Sequence, residues 1–245
     1  MKTATPIRSS AENETIPWDQ IRGWFFDLDG TLMDTDDQVV ERIAAHLRLL
    51  GPKLARDVSR QLVMKSETWI NAAVTLLDLF GLDSWVFAVR RRLSRQIAPT
   101  FRLIQGVKPL LQTLADREGV LAVVSTRPTE DAEAFLSQHD LASHFELIVA
   151  QETTKRLKPH PEPIRYAART LNLPLEACVM VGDTPVDVRS ARRAGAWAVG
   201  VLCGFGEAHE LELAGAHCVL AKTADLLPLI AEHPTDHSDE APSRN

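Results

Sequence analysis

Two aspartates separated by one residue, Asp27 and Asp29, close the apolar run Trp24-Phe25-Phe26, and Gly30 and Thr31 follow them. A carboxylate pair leaving a buried strand repels itself unless a cation lies between the two or one of them carries a proton. A hard divalent cation with oxygen ligands, most simply Mg²⁺, relieves that repulsion and leaves room for a phosphate. Gly30 permits backbone angles that other residues resist, and the Thr31 hydroxyl can serve a neighbour. A strand end running into an Asx-type turn accounts for the same DxD, so its meaning depends on what stands later in the chain.

Three later places carry complementary chemistry. Ser125 closes the apolar run of residues 120–124. Its hydroxyl and the amide of Thr126 can hold a phosphate oxygen, although a serine closing a strand also serves as a turn or cap residue. Lys158 lies in LKPHPEP, where closely spaced prolines stiffen the loop and can position an ammonium group against a nucleophile and a transferred phosphoryl group. In VMVGDTPVD, residues 179–187, an apolar strand runs into Gly182-Asp183, and Asp187 follows four residues on across a helix start. Asp183 would hold a cation directly and Asp187 would support it from one turn away. A helix-capping aspartate explains one of these acids but not both.

The elements that must position these residues follow from periodicity. A first strand ends at Asp27, and from Gly106 onward helix and strand alternate. Helices are expected over 107–117, 129–139 (capped by Thr129), 161–171, 185–194 and 223–230. Strands are expected over 119–124, 146–149, 177–181, 197–201 and 217–220. Such alternation implies an α/β fold, a doubly wound parallel sheet with right-handed crossovers, whose ligands collect at the C-terminal strand ends. Between the first strand and this region, apolar stripes at helical spacing (Val39 to Leu50, Leu54 to Leu62, Trp69 to Leu77, Trp85 to Ile97) predict an inserted all-helical unit.

In order and approximate spacing, DLDGT at Asp27 to Thr31, Ser125 after its apolar strand, Lys158 in KPHPEP and GDTPVD at Gly182 to Asp187 resemble the four motifs of the haloacid dehalogenase-like hydrolase superfamily. The helical insert is similar to the small cap of its phosphoglycolate-phosphatase and β-phosphoglucomutase branch. The resemblance implies a Rossmann-like core over 18–33 and 104–231, a helical cap over 34–103, and flexible tails over 1–17 and 232–245. It implies Asp27 as nucleophile and Asp29 as general acid/base. Mg²⁺ would be held by Asp27, the Asp29 carbonyl and Asp183 with support from Asp187, and the phosphoryl group by Ser125, Thr126, Lys158, Gly30 and Thr31. The branch often has Asn where Thr126 stands, which removes an expected leaving-group contact. Asp29 favours phosphoryl transfer, because true dehalogenases of the superfamily lack an aspartate there. The implied activity is hydrolysis of a small phosphorylated metabolite, phosphoglycolate-like or a sugar phosphate, through an aspartyl-phosphate under a closing lid. A phosphomutase using the same nucleophile, and a catalytically idle binding module, are the alternatives.

Composition bounds the rest. The 245-residue chain has a net charge of −6, which argues against a whole-protein nucleic-acid binder. No apolar run reaches membrane-spanning length and the N-terminus lacks a signal-peptide core, so a cytoplasmic monomer or homodimer is expected. Residues 34–103 hold eleven Lys/Arg against eight Asp/Glu, most simply a solvated helix face. Cys178, Cys203 and Cys218 read as buried thiols, Gly204-Phe205-Gly206 as a loop near the site, and His160 as a loop histidine between prolines.

Overall fold

A computed structural model describes residues 15–34 and 102–233. The chain divides into two compact units, Met1–Asp34 with Leu103–Asn245, and Thr35–Arg102. The insert helices expected from the sequence, with Trp69 and Trp85, lie outside the described residues.

The first unit is built on a six-stranded sheet whose described pairings are all parallel. Its first strand, β1 (Gly23–Phe26), is buried at every position, as an apolar run covered on both faces must be. A two-residue ladder, β2 (Met33–Asp34) with β3 (Arg102–Leu103), joins the points where the chain leaves and re-enters this unit. There follow α1 (Val107–Asp116), β4 (Val120–Val124), α2 (Thr129–Gln138), β5 (Leu147–Val149), α3 (Glu162–Thr170), β6 (Cys178–Gly182), α4 (Pro185–Ala194), β7 (Trp197–Val201), α5 (Ala208–Leu213), β8 (Cys218–Leu220) and α6 (Leu226–Glu232). The sheet order is β5-β4-β1-β6-β7-β8, so β1 is central and the crossovers reverse direction on either side of it. Phe26 stands in register with Val123 of β4 and Val181 of β6, which brings the ends of these three strands level. Phe25, Ala122, Val124, Met180, Ala198 and the inward faces of α3 and α4 form one continuous apolar cluster beneath that edge. Arg117, at the end of α1, donates to the carbonyls of Ile230 and His233 and so holds the end of α6.

Several details differ from the sequence expectation. Thr129 does not cap α2: Pro128 occupies the cap position, and the Thr129 hydroxyl and amide both donate to Glu152. The last helix is preceded by a separate 3₁₀ turn, Thr223–Asp225, and the short helix α5 was not anticipated. Trp18 is buried and stacked on Trp24 at 6.2 Å, and Ile16 is buried too, so the core takes in one residue from within the expected N-terminal tail. Cys178 and Cys218 are buried, but Cys203 is half-exposed because it lies on the loop after β7 at the sheet edge.

Candidate active site

The register of β1, β4 and β6 decides where the acids go. Asp27 continues β1 by donating its amide to the Val181 carbonyl of β6 at 3.0 Å, and Ser125 continues β4 by donating to the Val149 carbonyl at 2.9 Å. Asp183 follows the last residue of β6 directly. Lys158 comes from the loop before α3 and is buried, with its chain running inward to the same edge.

The Lys158 ammonium donates to Asp27 Oδ1 at 2.8 Å, to the Val124 carbonyl at 2.8 Å and to Asp187 Oδ1 at 2.5 Å. All three donors of the ammonium are therefore used. The other Asp187 oxygen accepts from the amide and hydroxyl of Thr184, closing a capping box at the start of α4. Asp187 thus fixes the lysine and its own helix at once. Asp183 Oδ2 accepts from the Phe205 amide at 2.9 Å. Gly30, with φ +64°, and Gly204 close on this carboxylate from two sides. A Cβ on either would strike the Asp183 side chain, so any larger residue would displace it.

Burial and charge pull these groups in different directions. Burial pushes the Asp27 carboxyl up to about 7, with Lys158 opposing and the charges of Asp187 and Asp29 adding to the rise. Burial alone would lower Lys158, yet Asp187 and Asp27 hold it above its ordinary value, so it remains a cation. Asp27, Asp183 and Asp187 offer carboxylate oxygens within 4.8 Å of one another. Three buried carboxylates against one buried ammonium leave an excess of negative charge, and the donors are all hard oxygens. This set suits a divalent cation of the Mg²⁺ or Ca²⁺ kind. Because both Asp187 oxygens are already engaged, Asp27 and Asp183 are its more available ligands.

Asp29 points to a different partner. Its carboxylate accepts two bonds from Arg127, Nε to Oδ2 and Nη2 to Oδ1, each 2.7 Å. The Arg127 amide in turn donates to Ser125 Oγ at 3.2 Å. Of the residues singled out from the sequence, the structure brings Asp27, Lys158, Asp183 and Asp187 into direct contact or close approach, with Gly30 against Asp183 and Asp29 joined to Ser125 through Arg127. Thr31 is fully buried. Its carbonyl accepts from Thr223, and its hydroxyl has no hydrogen-bond partner among the described residues. Thr126 is half-buried beside Ser125. His160 stays in the loop, bonded to Arg156 and the Glu162 amide. Sequence reasoning missed Arg127 and the Phe205 amide. The first was signalled only by a guanidinium two residues beyond Ser125, the second by the glycine pair around Phe205.

The family model for haloacid dehalogenase-like hydrolases matches residues 24–201, and the chain belongs to that family. It is 30% identical over 241 residues to a phosphoglycolate phosphatase of Pectobacterium atrosepticum, covering 90% of this chain and 96% of the relative. It is 29% identical to an N-acetylmuramic acid 6-phosphate phosphatase of Pseudomonas putida, over 76% of this chain and 85% of the relative. A solved structure described as a predicted phosphoglycolate phosphatase from Haemophilus somnus 129PT shares the fold, with TM-score 0.62 and 23% identity over 86% of this chain and 98% of that one.

Proposed function

We propose that this protein is a Mg²⁺-dependent phosphatase of small phosphomonoesters that works through an aspartyl-phosphate. The observation that carries the reading is the Lys158 ammonium seated between Asp27 and Asp187, whose carboxylates gather with that of Asp183 at the C-terminal edge of a parallel sheet. The two named phosphatase relatives point to the same chemistry.

On this reading an Asp27 oxygen attacks phosphorus in line. A P–O bond to Asp27 forms as the bond to the leaving group breaks, and Asp29 gives its proton to the departing alkoxide. Asp29 then takes a proton from water, whose oxygen attacks the phosphorus and frees Asp27 and inorganic phosphate. Lys158 offsets the repulsion between the Asp27 carboxylate and the anionic ester, while Ser125, Thr126, Gly30 and Thr31 bind the phosphoryl oxygens. Mg²⁺ would be held by Asp27, the Asp29 carbonyl and Asp183, and when bound it neutralises charge on the phosphoryl group. Asp187 supports it by fixing Lys158. Residues 34–103 serve as the cap that excludes water. The working place is the cytoplasm, in keeping with the absence of a disulfide among the described cysteines.

The test is inorganic phosphate release from a panel of phosphorylated metabolites, with Mg²⁺ or EDTA, for wild type and Asp27→Asn. Metal-dependent release lost in the variant is the expected result. Isomerisation without release would point to a mutase instead, and no turnover of any compound would overturn the reading.

A further inference from the structure

We propose that Arg127 is the positioning residue of Asp29, an inference that rests on the phosphatase reading. The two aspartates of the DxD pair are each held by one cation. Lys158 fixes Asp27, and among the described residues Arg127 alone binds the Asp29 carboxylate. A guanidinium fork meeting both oxygens sets the plane of a carboxylate as well as its place, which a single bond does not do. Orientation matters for a group that must deliver a proton to one oxygen and take one from a water.

Arg127 is built to hold that position. Its backbone carbonyl accepts from the Gln151 amide at 2.9 Å, its amide donates to Ser125 Oγ, and Nη1 lies 3.5 Å from Asp131 in the first turn of α2. With its amide supplied as donor, the Ser125 oxygen keeps its own O–H for a phosphate oxygen. One residue thus links the loop after β1 to the loop after β4, 98 positions away, and sets both Ser125 and Asp29. The pair is partly exposed, at 22% and 32%, so its value to stability is small and its geometry is what it contributes.

If Arg127 acts through Asp29, its loss matters only where Asp29 can work. A double-mutant cycle on an alkyl phosphate reads this. For Arg127→Ala in the wild-type background, kcat is expected to fall at least about tenfold on the alkyl ester with KM within about twofold. In an Asp29→Asn background the same substitution should change kcat little. Arg127→Lys, which keeps the charge but not the fork, should fall between. Equal losses in both backgrounds, or a rise in KM alone, would overturn the proposal and make Arg127 a substrate-binding or merely structural residue. Crystal structures of wild type and Arg127→Ala give a readout independent of turnover. Asp29 should leave its orientation or split between conformers in the variant, and an unmoved carboxylate would overturn the proposal. A wild type that releases no phosphate from any ester would sink the phosphatase reading, while the crystals would still decide whether Arg127 fixes Asp29. Should the alanine variant not fold, Arg127→Lys carries both measurements.

Discussion

At the scale of single residues, Lys158 is where stability and chemistry meet. Lys158→Met leaves Asp27 and Asp187 buried without their shared cation, and breaking such a pair typically costs about 3–5 kcal/mol. Urea unfolding should show a loss of that order, together with loss of phosphate release. A second prediction concerns protons. In metal-free protein the folded state keeps on Asp27, until pH about 7, a proton that the unfolded chain releases near 3.8. Stability in EDTA should therefore fall as pH rises through that window. A divalent cation must displace the same proton, so its affinity by calorimetry should be weaker at pH 5.5 than at pH 8. Asp27, Ser125 and Asp183 were legible because each follows an apolar run, Lys158 because it stands in a stiff loop, and Asp29 and Asp187 by their spacing from those acids. Their pairings were not. Nothing local to Asp29 announces Arg127, and nothing in GDTPVD says that Asp187 divides its oxygens between Lys158 and Thr184.

At the scale of elements, what could be read tracked how much punctuation the chain supplies. Helix α4 was legible to the residue, since Pro185 opens it and Gly195, at φ +92°, closes it. Helix α5 buries only Leu211, and six residues with one inward side chain leave no period to detect. The loop after β7 had its glycines in view, but their purpose depends on Asp183, which is distant in sequence. Two glycine substitutions separate these roles. Gly204→Ala places a methyl against Asp183 and the Gly30 backbone, and should weaken divalent-cation binding and phosphate release with a modest change in melting temperature. Gly195→Ala meets no neighbouring atom but must adopt a left-handed backbone. It should cost about 1 kcal/mol in a thermal melt and leave activity intact.

At the scale of the whole molecule, the doubly wound arrangement was legible from alternation alone, but the strand order came only with the structure. β1 is paired to β4 on one side and β6 on the other, so a chain ended at residue 175 has β1 open along one edge and lacks Asp183 and Asp187. Such a truncation should show no cooperative thermal transition by circular dichroism, where the full chain shows one. The same pairing has a consequence in time. Asp27 leaves the ribosome early, but the strand that presents it waits for partners beginning at Val120 and then at Cys178. A growing chain therefore carries this carboxylate, unshaped, through most of its synthesis, and its candidate site is assembled only near the end.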